Sequence, residues 1–385
     1  MKIKLIGAGA AGNKAAISIL ENNILEPTQV RLINSTLRDI PENYRQGAIQ
    51  LMDSEGGCGK ERNIGKDLML NTLEAYTDDF KSFIDQDDEV LVIVTSSEGG
   101  TGSSTSSILA DFYDSVVGIP VHLFIFTGFE DDGRGLQNTI ELFQEVKESY
   151  VVESISNNKF LPLCGGNKLK AHKMANEEFC NRIKVLIADG IIDSEQNIDD
   201  MDLFKVSTTP GFMTIRRTEF SKIKNKESFD KILNELIDSD PSLDSQEKSA
   251  KRLAVFLNCS EESLNNIDQS FSVIKEKLGS PYELFTHFQY DDSKSESISF
   301  IASGMKLPLD ELNEVYEKYK KESEKVNKKE DTFFEFASSL EGNAEDNMFN
   351  TRRRRVGKSD IKTINDDSFF KKFNEPVKKN DLDNY

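Results

Sequence analysis

Apolar runs that hand over directly to helical patterns dominate the first half of this chain. "KIKLI" meets "GAGAAG" and then "NKAAISILENN", and "QVRLINS" follows. Helix-like "DLMLNTLEAYTDDFKSFI" leads to "EVLVIVTS", "SSTSSILADFYDSV" leads to "PVHLFIFTG", and "LQNTIELFQEVKESY" leads to "KFLPLCGG". A strand that is apolar on both faces must be covered on both, and strand–helix alternation closes into a parallel sheet through right-handed crossovers. The expected class is α/β, with a Rossmann-like parallel-sheet domain over residues 1–171.

The rest of the chain reads differently. A long central helix is expected over residues 172–196, ending in polar "DSEQNIDDMD". A second α/β domain with a mixed sheet follows over residues 197–308: strand "RLAVFLNCS", helix "ESLNNIDQSFSVIKEKL", then "ELFTHFQYD" and "SISFIASGM" as an antiparallel hairpin turned by "DDSKSES". Residues 309–332 read as a charged C-terminal helix with Leu309, Leu312, Val315 and Tyr316 on one side, and residues 333–385 as a disordered tail.

Charge narrows the partners. The net charge is -19, and the tail holds as many basic as acidic residues, so the excess rests on the folded part. Such a body repels bare nucleic acid, and contact with DNA needs an adaptor or a local basic patch such as Arg352, Arg353, Arg354 and Arg355. Cys58, Cys164, Cys180 and Cys259 have neither metal nor disulfide spacing, and no apolar run approaches the ~20 residues that span a membrane. The expectation is a soluble cytoplasmic protein without direct membrane contact.

Three glycine-bearing loops carry the chemistry. "GAGAAG", Gly7 to Gly12, puts bare amides and the positive end of a helix at a strand end, which suits phosphate. A dinucleotide fold also expects an acid closing the second strand, but "LINST" offers none before Asp39. "SSEGGTGSSTSS" repeats the strand–glycine–helix pattern, and "GGCGKERNIGK" adds a third loop. Three loops suit a triphosphate, and none has the G-x-x-x-x-G-K-[ST] pattern of a P-loop.

These residues resemble the tubulin/FtsZ GTPases. "GAGAAGN" is similar to their first glycine loop and "EGGTGSS" to their glycine signature; Gly57, Gly59 and Asn63 have the spacing of the gamma-phosphate loop. "NIDDMDL" resembles the N-x-D-x-x-D that follows the family's central helix, and "IASGM" its last strand. The resemblance implies GTP/GDP binding with Mg2+, head-to-tail polymerisation into dynamic filaments, and hydrolysis completed by the acidic loop of the next subunit. Gly7, Ala8, Gly9, Ala10, Ala11, Gly12 and Asn13 would then lie by the alpha and beta phosphates, and Gly99, Gly100, Thr101, Gly102 and Ser103 by the beta and gamma phosphates. Gly57, Gly59, Lys60 and Asn63 would sense the gamma phosphate, while Asn197, Asp199 and Asp202 would position the attacking water. Asn176 and Asn167 would read the base, His172 would stack on it, and Glu130, Asp132 and Arg134 are candidates for the ribose, with Asn34 at the end of the second strand completing the set.

The acidic motif has a second reading as a helix start, with Asn197 as cap and acids in the first turn. Glu98 and Ser104 stand where the family has glycine, and Thr36 where FtsZ has an acid; these departures resemble the plasmid and phage TubZ-like branch. That branch implies segregation of DNA through an adaptor bound to the tail. FtsZ-like division, a nicotinamide-dependent enzyme and a nucleotide-binding structural protein are the alternatives. The sequence gives no role for Glu98.

Overall fold

The computed structural model describes residues 1–321 except 55, 191–196, 245–248 and 292–293. Residues Met1–Tyr316 form one compact unit, and the start of a second, residues 317–321, is helical. The strands are β1 (Ile3–Ala8), β2 (Val30–Asn34), β3 (Ile49–Gln50), β4 (Val90–Ser96), β5 (Val121–Thr127), β6 (Val151–Ser156), β7 (Gly211–Phe220), β8 (Arg252–Asn258), β9 (Glu283–Gln289) and β10 (Glu296–Met305). The helices are α1 (Gly9–Glu21), α2 (Arg62–Ala75), α3 (Thr77–Ser82), α4 (Gly100–Phe112), α5 (Gly133–Gln144), α6 (Asn157–Phe160), α7 (Lys168–Leu186), α8 (Asp200–Ser207), α9 (Lys226–Asp238), α10 (Glu261–Leu264) and α11 (Ser272–Leu278), and a further helix begins at residue 309.

All ten strands form one sheet in the order β3-β2-β1-β4-β5-β6-β7-β10-β8-β9. From β3 to β7 every pairing is parallel. β1, β5 and β6 are buried at every position, as strands covered by helices on both faces must be. The order reverses between β1 and β4, and in open α/β sheets ligands bind at the strand carboxyl ends beside such a reversal.

Only two residue pairs, Val151↔Gly211 and Val152↔Phe212, join β6 to β7. The core makes the seam good. Phe179 of α7 packs 4.6 Å from Phe124 and 5.8 Å from Phe126, and the same cluster takes in Met213, Ile215, Ala254, Phe256 and Ile301. Arg182, on the same helix, is fully buried and bonds Glu153 of β6 (2.6 Å) and Asp240 after α9 (2.9 Å). Burial alone would raise Asp240, but Arg182 and Arg216, with bonds from Thr214 and the Ser242 amide, outweigh it and hold the carboxyl at about 2.

The structure corrects several local expectations. "KFLPLCGG" is not a strand: Pro162 removes a ladder donor, and the segment forms α6 and a tight turn ending at left-handed Gly165 and Gly166. The strand lies just before it, disguised by Glu153, whose charge is met by Arg182. β9 and β10 are not a hairpin. β10 inserts antiparallel between β7 and β8, while β9 pairs parallel with β8 through a crossover containing α10 and α11. The helix expected over 172–196 starts earlier, at Lys168, and stops at Leu186, before left-handed Ala188 and Gly190. The C-terminal helix is described only to residue 321; the tail and Arg352–Arg355 lie outside the described residues.

Candidate nucleotide-binding site

Two helix starts meet at the sheet's order reversal. α1 leaves β1 with Ala8 as its cap and α4 follows β4 with Gly99 as its cap; neither has a side-chain cap or an acid in its first turn. Their opening amides are therefore free of intrahelical partners and carry the positive end of each helix dipole. The helices touch: a Cβ on Gly9 would lie 2.7 Å from Gly102 N and Cα, and one on Gly102 would lie 2.8 Å from Ala8 O. Gly57 and Gly99 are different, since a side chain there would meet nothing within 4 Å. Their bareness serves no packing within the chain and leaves the backbone open to an outside group.

The third loop folds over the start of α4. Gly59 and Lys60 are both left-handed, with φ of 56° and 65°. A Cβ on Gly100 would lie 2.8 Å from Glu61 N and 2.9 Å from Lys60 C. Thr101 links the neighbouring loops, bonding Ser35 Oγ at 3.1 Å and donating to Cys58 Sγ at 3.2 Å. The Lys60 ammonium pairs with Asp132, and Glu61 pairs with Arg134 at 3.0 Å, so the loop after β5 and the first turn of α5 close on the same segment. Asn63 is exposed in the first turn of α2.

Some expected contacts are already committed inside the chain. The Asn13 carboxamide is buried and bonds both main-chain groups of Ile33, leaving only its backbone to face the site. Asn34 donates to Thr36 O and Asp39. Ser103 Oγ donates to Gly99 O. Glu130 accepts from Asn158 at 2.8 Å, and Arg134 also donates to Gln137 at 3.2 Å.

At the start of α7, Asn167 is the cap, accepting from the Lys170 amide at 3.1 Å. His172 stands exposed, its Nδ1 3.1 Å from Asn157 Oδ1 and its ring edge-on to Phe129 at 5.3 Å. Partial desolvation of the ring against its neighbours, then Lys14 and Lys168, lower its pKa. Asn176 lies one turn further along and is half-buried. Phe129 and Lys14, which no motif marked, complete this corner.

The acidic motif lies elsewhere. Asp199, not Asn197, caps α8, its Oδ1 accepting from the Asp202 amide at 2.7 Å, because Asp199 is the residue with extended backbone directly before the helix. Asp202 lies 3.7 Å from Lys205. Asp200 lies 3.9 Å from the Met1 nitrogen, just ahead of β1, whereas the first glycine loop begins where β1 ends. A strand of that length spans about 20 Å. The glycine loops and the acids thus occupy opposite ends of the parallel sheet and do not meet within one chain.

No family model matches the chain. Over 231 residues it is 23% identical to the tubulin-like protein CetZ1 of Haloferax volcanii, a match spanning 56% of this chain and 58% of that protein. Phage c-st TubZ of Clostridium botulinum superposes with a TM-score of 0.65 at 15% identity, covering 84% of this chain and 99% of the other. CetZ2 of Haloferax volcanii, in a GTPγS-bound protofilament, gives 0.68 at 15% identity, covering 84% and 100%. The fold is that of the tubulin/FtsZ superfamily. Within it, TubZ and CetZ structures stand among the close matches.

Proposed function

We propose that this chain is a GTPase that binds GTP at the paired starts of α1 and α4 and assembles head to tail. Asp199 and Asp202 of one subunit then reach the nucleotide of the next. The observation that carries this is the separation of phosphate-receptive loops from acids along β1. Exposed apolar side chains at both ends favour stacking: Leu163, Leu169 and Ile64 near the nucleotide end, Met201 beside the acids. The GTPγS-bound protofilament of CetZ2 supports the same reading.

The free amides of α1 and α4 bind and orient the phosphates, and the loop from Gly57 to Lys60 senses the third. Asp202 and Asp199 orient water and draw on its protons. Among the described residues no group of three His, Cys, Asp or Glu side chains could hold a metal alone. Thr101, at the start of α4, would help hold Mg2+ beside the phosphates, where the ion would neutralise their charge. The TubZ-like resemblance extends the reading to segregation of plasmid or phage DNA through an adaptor on the tail at Arg352–Arg355.

Pelleting and light scattering with Mg2+ and GTP, against GDP, test the assembly. Polymer is expected with GTP and its slowly hydrolysed analogues, and should disappear as GTP is consumed. Equal pelleting with both nucleotides, or none across a range of salt, rejects the reading.

A further inference from the structure

Helix α5 and its C-terminal cap carry a polar stripe of which the GTPase resemblance uses only Arg134. Arg134, Asn138, Glu141 and Glu145 recur at helical spacing, and each meets the segment from Lys60 to Lys66. Arg134 pairs with Glu61 at 3.0 Å. Glu141 lies 3.7 Å from Arg62, and Glu145 pairs with both Arg62 and Lys66.

Asn138 is the fully buried member of this stripe. Its Nδ2 donates to Lys60 O at 3.0 Å and to Glu98 O at 2.9 Å. A carboxamide nitrogen has two hydrogens, and here each goes to a different loop. That both acceptors are carbonyls fixes which end of the carboxamide is nitrogen. Its Oδ1 is buried without a partner, so the residue is not placed for its own satisfaction. Lys60 is held in left-handed backbone, which persists only where the surroundings impose it. Glu98 directly precedes Gly99, the cap of α4.

We propose that Asn138 is a positioning residue for the triphosphate: it fixes the distance between the third loop and the start of α4. This rests on the GTP reading above. A diphosphate held by α1 and α4 does not call on the third loop, whereas a gamma phosphate needs both. Asn138 therefore sets the preference for triphosphate over diphosphate without touching either.

The test is calorimetric titration of the full chain with GTPγS and with GDP, alongside thermal melts, for wild type, Asn138→Ala, Asn138→Ser and the isosteric Asn138→Asp. Asn138→Ala should lose about tenfold in GTPγS affinity, as expected for two lost neutral hydrogen bonds. Its GDP affinity should change by about threefold or less. Asn138→Ser, with one donor, should fall between, and Asn138→Asp, which turns acceptors toward two carbonyls, should lose most. A merely structural role lowers the melting temperature and both affinities together, leaving their ratio unchanged, and that overturns the proposal. If Asn138→Ala does not fold, the ratio for Asn138→Ser decides in the same way. Wild-type chain that binds neither nucleotide rejects the GTP reading itself and this proposal with it; wild type that binds both while the variants keep its ratio rejects this proposal alone.

Discussion

The side chain of Glu98 crosses from the loop after β4 to the loop after β5, where Oε1 accepts the Phe129 amide at 3.1 Å. Gly128 and Gly135 leave room for it: a Cβ on Gly128 would collide with the carboxylate, and one on Gly135 would lie 3.2 Å from Glu98 Cβ. The residue thus clamps the glycine loop to the segment bearing Phe129, which in turn faces His172. Burial raises the pKa of this carboxyl, Asp132 raises it further, and the Phe129 amide, Lys60 and Lys168 offset only part. A carboxyl raised in the folded state adds stability below its unfolded pKa, and that stability is lost as pH rises through the folded value. Glu98→Gln keeps the acceptor and removes the ionisation. It is expected to melt above wild type near pH 7 and to converge with it near pH 4. Melts across that range decide; a gap that does not change with pH contradicts the account. Nothing in the one-dimensional pattern showed this role, because Glu98 meets Phe129 only through the pairing of β4 with β5.

At the scale of elements, α2 and α4 cross at Gly65. A Cβ there would meet Ser104 Oγ and lie 2.8 Å from Gly100 O. Ser104 turns its hydroxyl back to Gly100 O at 2.6 Å and so fills the crossing. Gly65→Ala is expected to destabilise by about 1–3 kcal/mol through overpacking. Adding Ser104→Ala should recover part of that loss, a non-additivity that denaturant melts of the three variants would show. Independent, additive losses would mean that the two side chains do not share the crossing. The helices and strands of the first half were legible because their apolar runs are continuous. β6 and β7 were not: Glu153 and Arg216 interrupt them, and both are neutralised by partners far away in sequence, Arg182 and Glu178. The order of β8, β9 and β10 was hidden because adjacent strands in sequence need not be adjacent in the sheet. The three glycine loops were legible as loops, while their closure by α5 depends on tertiary contacts.

At the scale of the whole molecule, the proposed head-to-tail assembly puts two halves of one reaction in two subunits, and this can be tested without seeing a filament. A head-to-tail interface is heterologous, so each subunit offers one pocket and one acidic loop to different neighbours. Asp202→Ala leaves the pocket whole and spoils the loop. Gly102→Val spoils the pocket, since even a Cβ there would lie 2.7 Å from Thr95 Oγ1 and 2.8 Å from Ala8 O, yet it leaves Asp199 and Asp202 in place. Each variant alone should lose nearly all turnover. Mixed in equal amounts, random stacking puts a sound pocket against a sound loop at about one junction in four. Turnover in the mixture should therefore rise well above the mean of the two variants and depend on total protein concentration. If the acids served the pocket of their own chain, mixing would restore nothing. Phosphate release from the mixture distinguishes the two arrangements even where the assemblies are too short to pellet.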